Sequence, residues 1–308
     1  MAADKENNDA SNHQHSHDHH GHGVDGHTFL TDEAVTALEW DAETFSGFID
    51  QAIATIKAEA PANGENISSI VDVGCGPGIA TLNLAGSFPN AQILAVDVSE
   101  VALDRTAKWA AAAGLSSRVN TRLVDIDQDA AAIGSADVVL ASMTLHHVDD
   151  EVTTLRQLHS QISPHGLLCV LERHEPATIN LEDDLGKPGL WSRINEARLK
   201  RDYEKRSELP GGANADRYPT MLAEAGFTLI LEEVLTETAA LETSIAATKF
   251  IARQLTRIVD ELAEYVDATD LAAVSQLSAE MTEAPQPRWA GTVSASRKMF
   301  LAMPAPSA

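Results

Sequence analysis

The chain has 308 residues, 44% of them hydrophobic, which is enough for a sizeable core and one large domain. A formal net charge of −24 argues against a nucleic-acid partner, which needs a basic face, and against binding to an anionic membrane surface. The two cysteines, Cys75 and Cys169, lie in apolar stretches, so a disulfide framework is excluded and a reducing cytoplasm is expected.

Residues 1–27 are poor in apolar side chains and read as a disordered tail. The tail holds seven of the twelve histidines, in HQHSHDHHGHGVDGH. Alternating imidazoles can chelate a divalent metal adventitiously, but a flexible tail fixes no geometry and no resident metal site is expected. The polar, acidic start does not read as a signal peptide, and no apolar run approaches the roughly 20 residues of a spanning helix. Residues 28–62 carry helical spacing through Leu38, Trp40, Phe45, Phe48, Ile49, Ile53 and Ile56, and PANGEN then breaks the chain.

From residue 63 onward, short apolar strands alternate with helices. Strands are expected at Ser69–Val73, Gln92–Asp97, Val119–Val124, Ala136–Ser142 and Leu167–Leu171. Helices are expected at Ile79–Ser87, Glu100–Ala113 and Asp149–Ile162. This alternation means a parallel sheet covered on both faces. Beyond it come a charged helix over Trp191–Glu208, the loop LPGGANADRYP, a short helix over Thr220–Ala225 and a strand over Phe227–Val234. Helices over Ser244–Val266 and Leu271–Met281 precede a last strand over Thr292–Ala302. The expected fold is α/β: a doubly wound seven-stranded, mainly parallel, Rossmann-like sheet, with helical insertions at about 176–226 and 240–288. The second insertion could support a homodimer.

The stretch VDVGCGPG (71–78) places Gly74, Gly76 and Gly78 in a turn between strand and helix, where a backbone without Cβ atoms can approach a ligand closely. No Gly-Lys-Ser/Thr follows, which removes a nucleoside triphosphate. Ile79 stands where a dinucleotide fingerprint wants its third glycine, and Pro77 removes an N–H that pyrophosphate would use. Asp97 ends the second strand, where a carboxylate can accept ribose hydroxyls. Asp72 would repel a pyrophosphate but attract a cation. A ligand with ribose, adenine, a positive centre and no phosphate fits best, and S-adenosylmethionine has those features.

Taken with AVDVS, VDIDQD, ADVVLASMTLHHVDD and LHSQISPHGLLCVLE in that order, VDVGCGPG resembles the motif series of the class I S-adenosylmethionine-dependent methyltransferases that act on small molecules. The resemblance spans roughly Ile70 to Arg173. It implies S-adenosylmethionine as cosubstrate, held by Asp72, Gly74, Cys75, Gly76, Gly78, Asp97, Val98, Asp125, Ile126 and Ser142. It also implies a last strand running antiparallel beside the fifth, and N-terminal helices closing over the cofactor as a lid. The acceptor would be a small molecule, and no motif identifies it.

His146 and His147 follow the fourth strand at the carboxyl edge, where ligands bind in such sheets, and are the candidates for a general base. Glu172 and His174 follow the fifth strand at the same edge, and Glu172 could pair with Arg173 instead of touching substrate. Arg193, Arg198 and Arg201 lie on the charged helix, where one could meet a carboxylate, although i,i+4 pairing on a solvated helix is the expectation. Two other readings stay open: a nicotinamide-dependent oxidoreductase, and a non-enzymatic metal-binding protein using the histidine tail.

Overall fold

The computed structural model describes residues 30–208, 215–284 and 289–306, so the histidine tail and part of the 209–219 loop lie outside the described residues. The helices are α1 (Asp32–Thr44), α2 (Gly47–Glu59), α3 (Ile79–Ser87), α4 (Glu100–Ala112), α5 (Ile126–Asp129), α6 (Glu151–His159), α7 (Leu190–Glu208), α8 (Tyr218–Glu224), α9 (Ile245–Glu261) and α10 (Ala268–Glu283). The strands are β1 (Ser69–Val73), β2 (Gln92–Asp97), β3 (Val119–Leu123), β4 (Ala136–Ser142), β5 (Ile162–Leu181), β6 (Phe227–Ala240) and β7 (Gly291–Pro304).

The strands form one seven-stranded sheet in the order β3-β2-β1-β4-β5-β7-β6. β1 to β5 pair in parallel, and β7 runs antiparallel to both β5 and β6. The expected Rossmann-like fold with an antiparallel strand inserted beside the fifth is the one observed. Alternate strand residues face opposite layers, so burial divides between two cores. One core packs side chains of α1, α2, α3, α7, α9 and α10 against Ile70, Leu140, Cys169 and Leu171. The other packs α6 and α8 against Val71, Val139, Leu168 and Val170.

β5 departs from expectation. It continues ten residues past Leu171, so the helical insertion begins after Leu181 and not near residue 176. Pro176 reads as a terminator, yet it falls in an irregularity between Glu175 and Thr178, where the ladder to β7 skips and no N–H is required. β6 likewise runs to Ala240, and β5, β6 and β7 together form a ribbon rising beyond the end of β4.

The two N-terminal helices are fastened to that ribbon. The carboxylate of Glu237, on β6, accepts from the N–H groups of Gly47 and Phe48 at 3.2 Å each, capping α2 from across the fold. A Cβ on Gly47 would stand 2.9 Å from the Glu237 carboxylate. Arg297 of β7 pairs with Asp41 at 2.9 Å and lies over the Phe48 ring. Phe45 and Phe48 are fully buried, and Phe45 meets Phe250 edge-to-face, so both rings are core packing. Trp40 is half-buried beneath Lys249.

Candidate active site

The glycine turn links β1 to α3, and all three glycines have positive φ: +65° at Gly74, +51° at Gly76 and +86° at Gly78. The conformation alone favours glycine, but the three positions face different surroundings. A Cβ on Gly74 would lie 2.3 Å from the Thr144 hydroxyl, and one on Gly78 would lie 2.5 Å from that of Thr106. A Cβ on Gly76 would meet only Leu38, at 3.9 Å. Gly74 and Gly78 therefore let the turn pack against its own protein, while Gly76 presents open backbone. Gly74→Ala should lower stability by about 3 kcal/mol, combining clash and αL strain. Gly76→Ala should cost only about 1 kcal/mol, from αL strain, yet obstruct a ligand. Thermal melts compared with ligand calorimetry would separate the two.

Two carboxylates bracket this turn. Asp97 Oδ2 accepts from Gly76 N and Oδ1 from Ser99 N, both at 2.9 Å. With a third backbone N–H, that of Val98, also directed at the carboxylate, lone-pair capacity for one hydroxyl remains. Asp72 is 1% exposed and accepts from the Thr81 hydroxyl at 2.6 Å. Burial, resisted by the Thr81 hydrogen bond and reinforced by the charge of Asp97, pushes the Asp72 carboxyl up to about 7. Burial also raises Asp97, against hydrogen bonds from Gly76, Ser99 and Val98. The turn is thus flanked by two carboxyl groups, which supply acceptors where a pyrophosphate requires donors.

Apolar surface adjoins the carboxylates. Val98, 41% exposed, and Leu123, 53% exposed, stand at the ends of the paired strands β2 and β3. Asp125 caps α5 by accepting from Asp127 N, next along the same edge. Ile126 is buried in the second core, and Ser142 is half-buried at the end of β4. Cys75 packs with Ala95 and Leu103, its Sγ 3.9 Å from the Thr106 hydroxyl. Burial and the neighbouring Asp72 and Asp97 raise the Cys75 thiol far above its ordinary value, and burial pushes Cys169 up to about 12. Neither thiol is poised as a nucleophile. α1 borders the turn through Leu38, and Glu39 accepts from Arg105 at 2.5 Å and from Trp109 at 3.2 Å on α4.

The histidines lie in a tight turn after β4, which begins with Met143 at φ +56°. The Thr144 hydroxyl donates towards Val73 O at 3.0 Å, locking this turn to the end of β1. His146 Nδ1 is 2.7 Å from Glu172 Oε2, while Leu145 N donates to Glu172 Oε1 at 3.0 Å. Glu172 is 3% exposed, whereas about a third of the His146 side chain reaches solvent (32%). A buried carboxylate receiving the Nδ1 proton fixes the tautomer and leaves Nε2 as an acceptor. His147 is exposed, its ring 4.0 Å from that of His146. Tyr218, stacked on Phe300, lies behind Glu172, and its burial, reinforced by the Glu172 charge, raises the phenol.

Glu172 thus pairs with His146 and not with Arg173, which meets Asp202 of α7 at 2.9 Å. The α7 cations differ from expectation too. Arg193 pairs with Asp270 and Arg201 with Glu261, both on other helices, and Lys200 with Glu204 is the i,i+4 pair. Among the described residues, no group of His, Cys, Asp and Glu could hold a metal ion. None of the described helices is long and apolar enough to cross a membrane.

Residues 70–166 match the family model described as a methyltransferase domain. A malonyl-[acyl-carrier protein] O-methyltransferase of Halalkalibacterium halodurans is 30% identical over 145 residues, covering 46% of this chain and 52% of its own. A trans-aconitate 2-methyltransferase of Methylobacterium radiotolerans is 28% identical over 139 residues, covering 43% and 48%. The chain therefore spans about half the length of these curated relatives. The crystal structure of a candidate methyltransferase from Bacillus halodurans superposes with a TM-score of 0.51 at 17% identity, over 82% of this chain and 99% of that one, and shares the fold.

Proposed function

We propose that the protein, whose residues 70–166 match the methyltransferase-domain family model, transfers a methyl group from S-adenosylmethionine to a small-molecule acceptor. The observation that carries this reading is the pair of buried carboxylates, Asp72 and Asp97, on a glycine turn whose open face is Gly76. Such a turn suits a ligand with a positive centre and hydroxyls, and disfavours a dinucleotide. The nicotinamide alternative gains no support from it.

When bound, S-adenosylmethionine supplies a methyl group activated on a sulfonium. Asp97, fixed by the N–H groups of Gly76 and Ser99, would take a ribose hydroxyl. Asp72 would set negative charge beneath the amino-acid end, and Val98 with Leu123 would flank the adenine. Asp125, Ile126 and Ser142 complete the neighbourhood that the motif series assigns to the cofactor. α1 would roof it through Leu38 as a lid.

His146 would be the general base. With Nδ1 held by Glu172, Nε2 is free to take the proton from an acceptor hydroxyl as the oxygen attacks the methyl carbon, a contribution of about 10²–10⁴-fold. His147 would line the pocket beside it. The curated relatives named above are an O-methyltransferase of malonyl-[acyl-carrier protein] and a 2-methyltransferase of trans-aconitate. Acidic small molecules are therefore the first acceptor class to screen. The two buried thiols fit a reducing, cytoplasmic setting, and the histidine tail stays outside this chemistry as an adventitious chelator.

Calorimetric titration tests the cofactor assignment. S-Adenosylmethionine and S-adenosylhomocysteine should bind saturably and NADH should not. Asp97→Ala should weaken both by about 100-fold, the worth of a charge-assisted hydrogen bond. Binding of NADH alone would return the oxidoreductase reading.

A further inference from the structure

Glu172 is a buried carboxylate with a lysine directly opposite that does not pair with it. In the β5–β7 ladder its partner is Lys298, and cross-strand neighbours of opposite charge normally attract. Lys298 instead pairs with Asp216 and, at 3.0 Å, with Glu232. Among the described residues, His146 is the one side chain at hydrogen-bond length from Glu172, and Leu145 N is its backbone donor. A carboxylate has about four lone-pair sites. Glu172, at 3% exposure, therefore has acceptor capacity left over and little water to fill it.

A donor without an acceptor lies beside it. Phe300 stands opposite Val170 in the same ladder, and both belong to the second core together with Tyr218. Glu172 is two residues on from Val170 and shares that face of the sheet. Tyr218 stacks on Phe300 with ring centroids 5.3 Å apart, which brings the phenol behind Glu172. The residue is 4% exposed, and its Oη meets no partner at normal hydrogen-bond length and angle among the described residues. Burial raises the phenol most, then the charge of Glu172. A weak hydrogen-bonding pull from Glu172 adds to this, whereas Glu151 acts through its charge alone. The contact is near but not closed.

Each group supplies what the other lacks. A buried hydroxyl without an acceptor is unfavourable, and a hydrogen bond to a charged acceptor is about twice as strong as one between neutral groups. A third donor would also stop the carboxylate turning about its terminal bond, and so keep Oε2 aimed at Nδ1 of His146. The segment that carries Tyr218 is itself fastened here, since Asp216, two residues earlier, takes Lys298.

We propose that Tyr218 is a positioning residue for methyl transfer: its hydroxyl donates to Glu172 in the working enzyme and fixes the carboxylate that orients His146. The proposal rests on the reading of His146 as general base. Its oxygen is sealed from solvent, so the phenol touches neither cofactor nor acceptor and transfers no proton.

Tyr218→Phe removes the hydroxyl and keeps the ring on Phe300. Calorimetry with S-adenosylhomocysteine should be unchanged, which shows that the fold is intact. With the acceptor that takes up labelled methyl from a cell extract, kcat should fall about tenfold, the worth of one charge-assisted hydrogen bond, while KM stays put. In the Glu172→Gln background the same change should cost nothing further, because no carboxylate remains to be held. A separate readout needs no acceptor: the proton NMR resonance of His146 Nδ1–H in the S-adenosylhomocysteine complex, assigned by its loss in His146→Ala. It should move downfield in Tyr218→Phe, since Nδ1–H then shares Glu172 with one donor fewer. An unmoved resonance, or an unchanged kcat, would overturn the proposal, as would an equal loss of kcat in both backgrounds. An unchanged kcat in His146→Ala would instead remove the base itself and the role of Tyr218 with it, while the resonance still reported the contact.

Discussion

Glu172→Gln should lower kcat by about 10²-fold or more while leaving the affinity for S-adenosylmethionine unchanged. The carboxylate now does two jobs at once: Oε1 accepts from Leu145 N and Oε2 from His146 Nδ1. A glutamine has one acceptor and one donor. If its oxygen stays with Leu145 N, its amide N–H faces Nδ1 and drives the imidazole proton to Nε2, where the acceptor's proton has to go. His146→Ala should cost about as much, and the double variant little more, because both changes disable one device. The measurement is steady-state kinetics with the acceptor that takes up labelled methyl from a cell extract, paired with calorimetry of S-adenosylhomocysteine. An unchanged kcat in both single variants would remove His146 as base. It would also indicate an acceptor that is anionic before it binds, which needs no proton removed.

The second large effect concerns Asp72. Its ordinary value is 3.8 and burial holds it at about 7, so the folded state resists its ionisation. The sign follows from proton counting. Below pH 4 the group is protonated in both folded and unfolded chains and contributes nothing. As pH rises from 4 to 7 the unfolded chain releases the proton more readily, and stability is progressively lost; above 7 the loss is constant. Its size is at most about 4 kcal/mol. Asp72→Asn keeps an acceptor for the Thr81 hydroxyl and removes the charge. It should raise the melting temperature of the ligand-free protein at pH 8 by several degrees and leave it nearly unchanged at pH 4. The same variant should bind S-adenosylmethionine at least about tenfold more weakly, because the cation loses its counter-charge. In the unmodified protein, binding should release a proton near pH 7, seen as a dependence of the calorimetric heat on the buffer. A melting gain independent of pH would contradict this account.

β1, β2 and β4 have the boundaries that their apolar runs predict, since a buried parallel strand has little choice of composition. β5 is different. Beyond Leu171 its sequence is polar and interrupted by Pro176, and only pairing with β7, more than a hundred residues away, makes a strand of it. The site was legible to the same extent. The glycine turn, Asp72 and Asp97 are local and stand where expected. The choice between His146 and His147 depends on Glu172, 26 residues distant, which adjoins the turn only because β4 and β5 are neighbours. One available signal told against the simpler pairing: consecutive residues of a strand point to opposite faces, so Glu172 and Arg173 were poorly placed to meet.

The attachment of α2 to Glu237, and of Asp41 to Arg297, spans 190 and 256 residues of chain. α1 and α2 are therefore made well before β6 and β7 and must wait for those strands before they can settle. β7 must also enter between two strands made before it. Long-range closures of this kind slow folding and lengthen the time that apolar surface stays exposed. During synthesis the edge that bears the glycine turn would be assembled from β1 to β4 first, and α1 and α2 would be fastened only once residues near 300 have left the ribosome. A nascent chain could in this way hold a formed glycine turn well before it has any enclosed chamber in which chemistry could proceed.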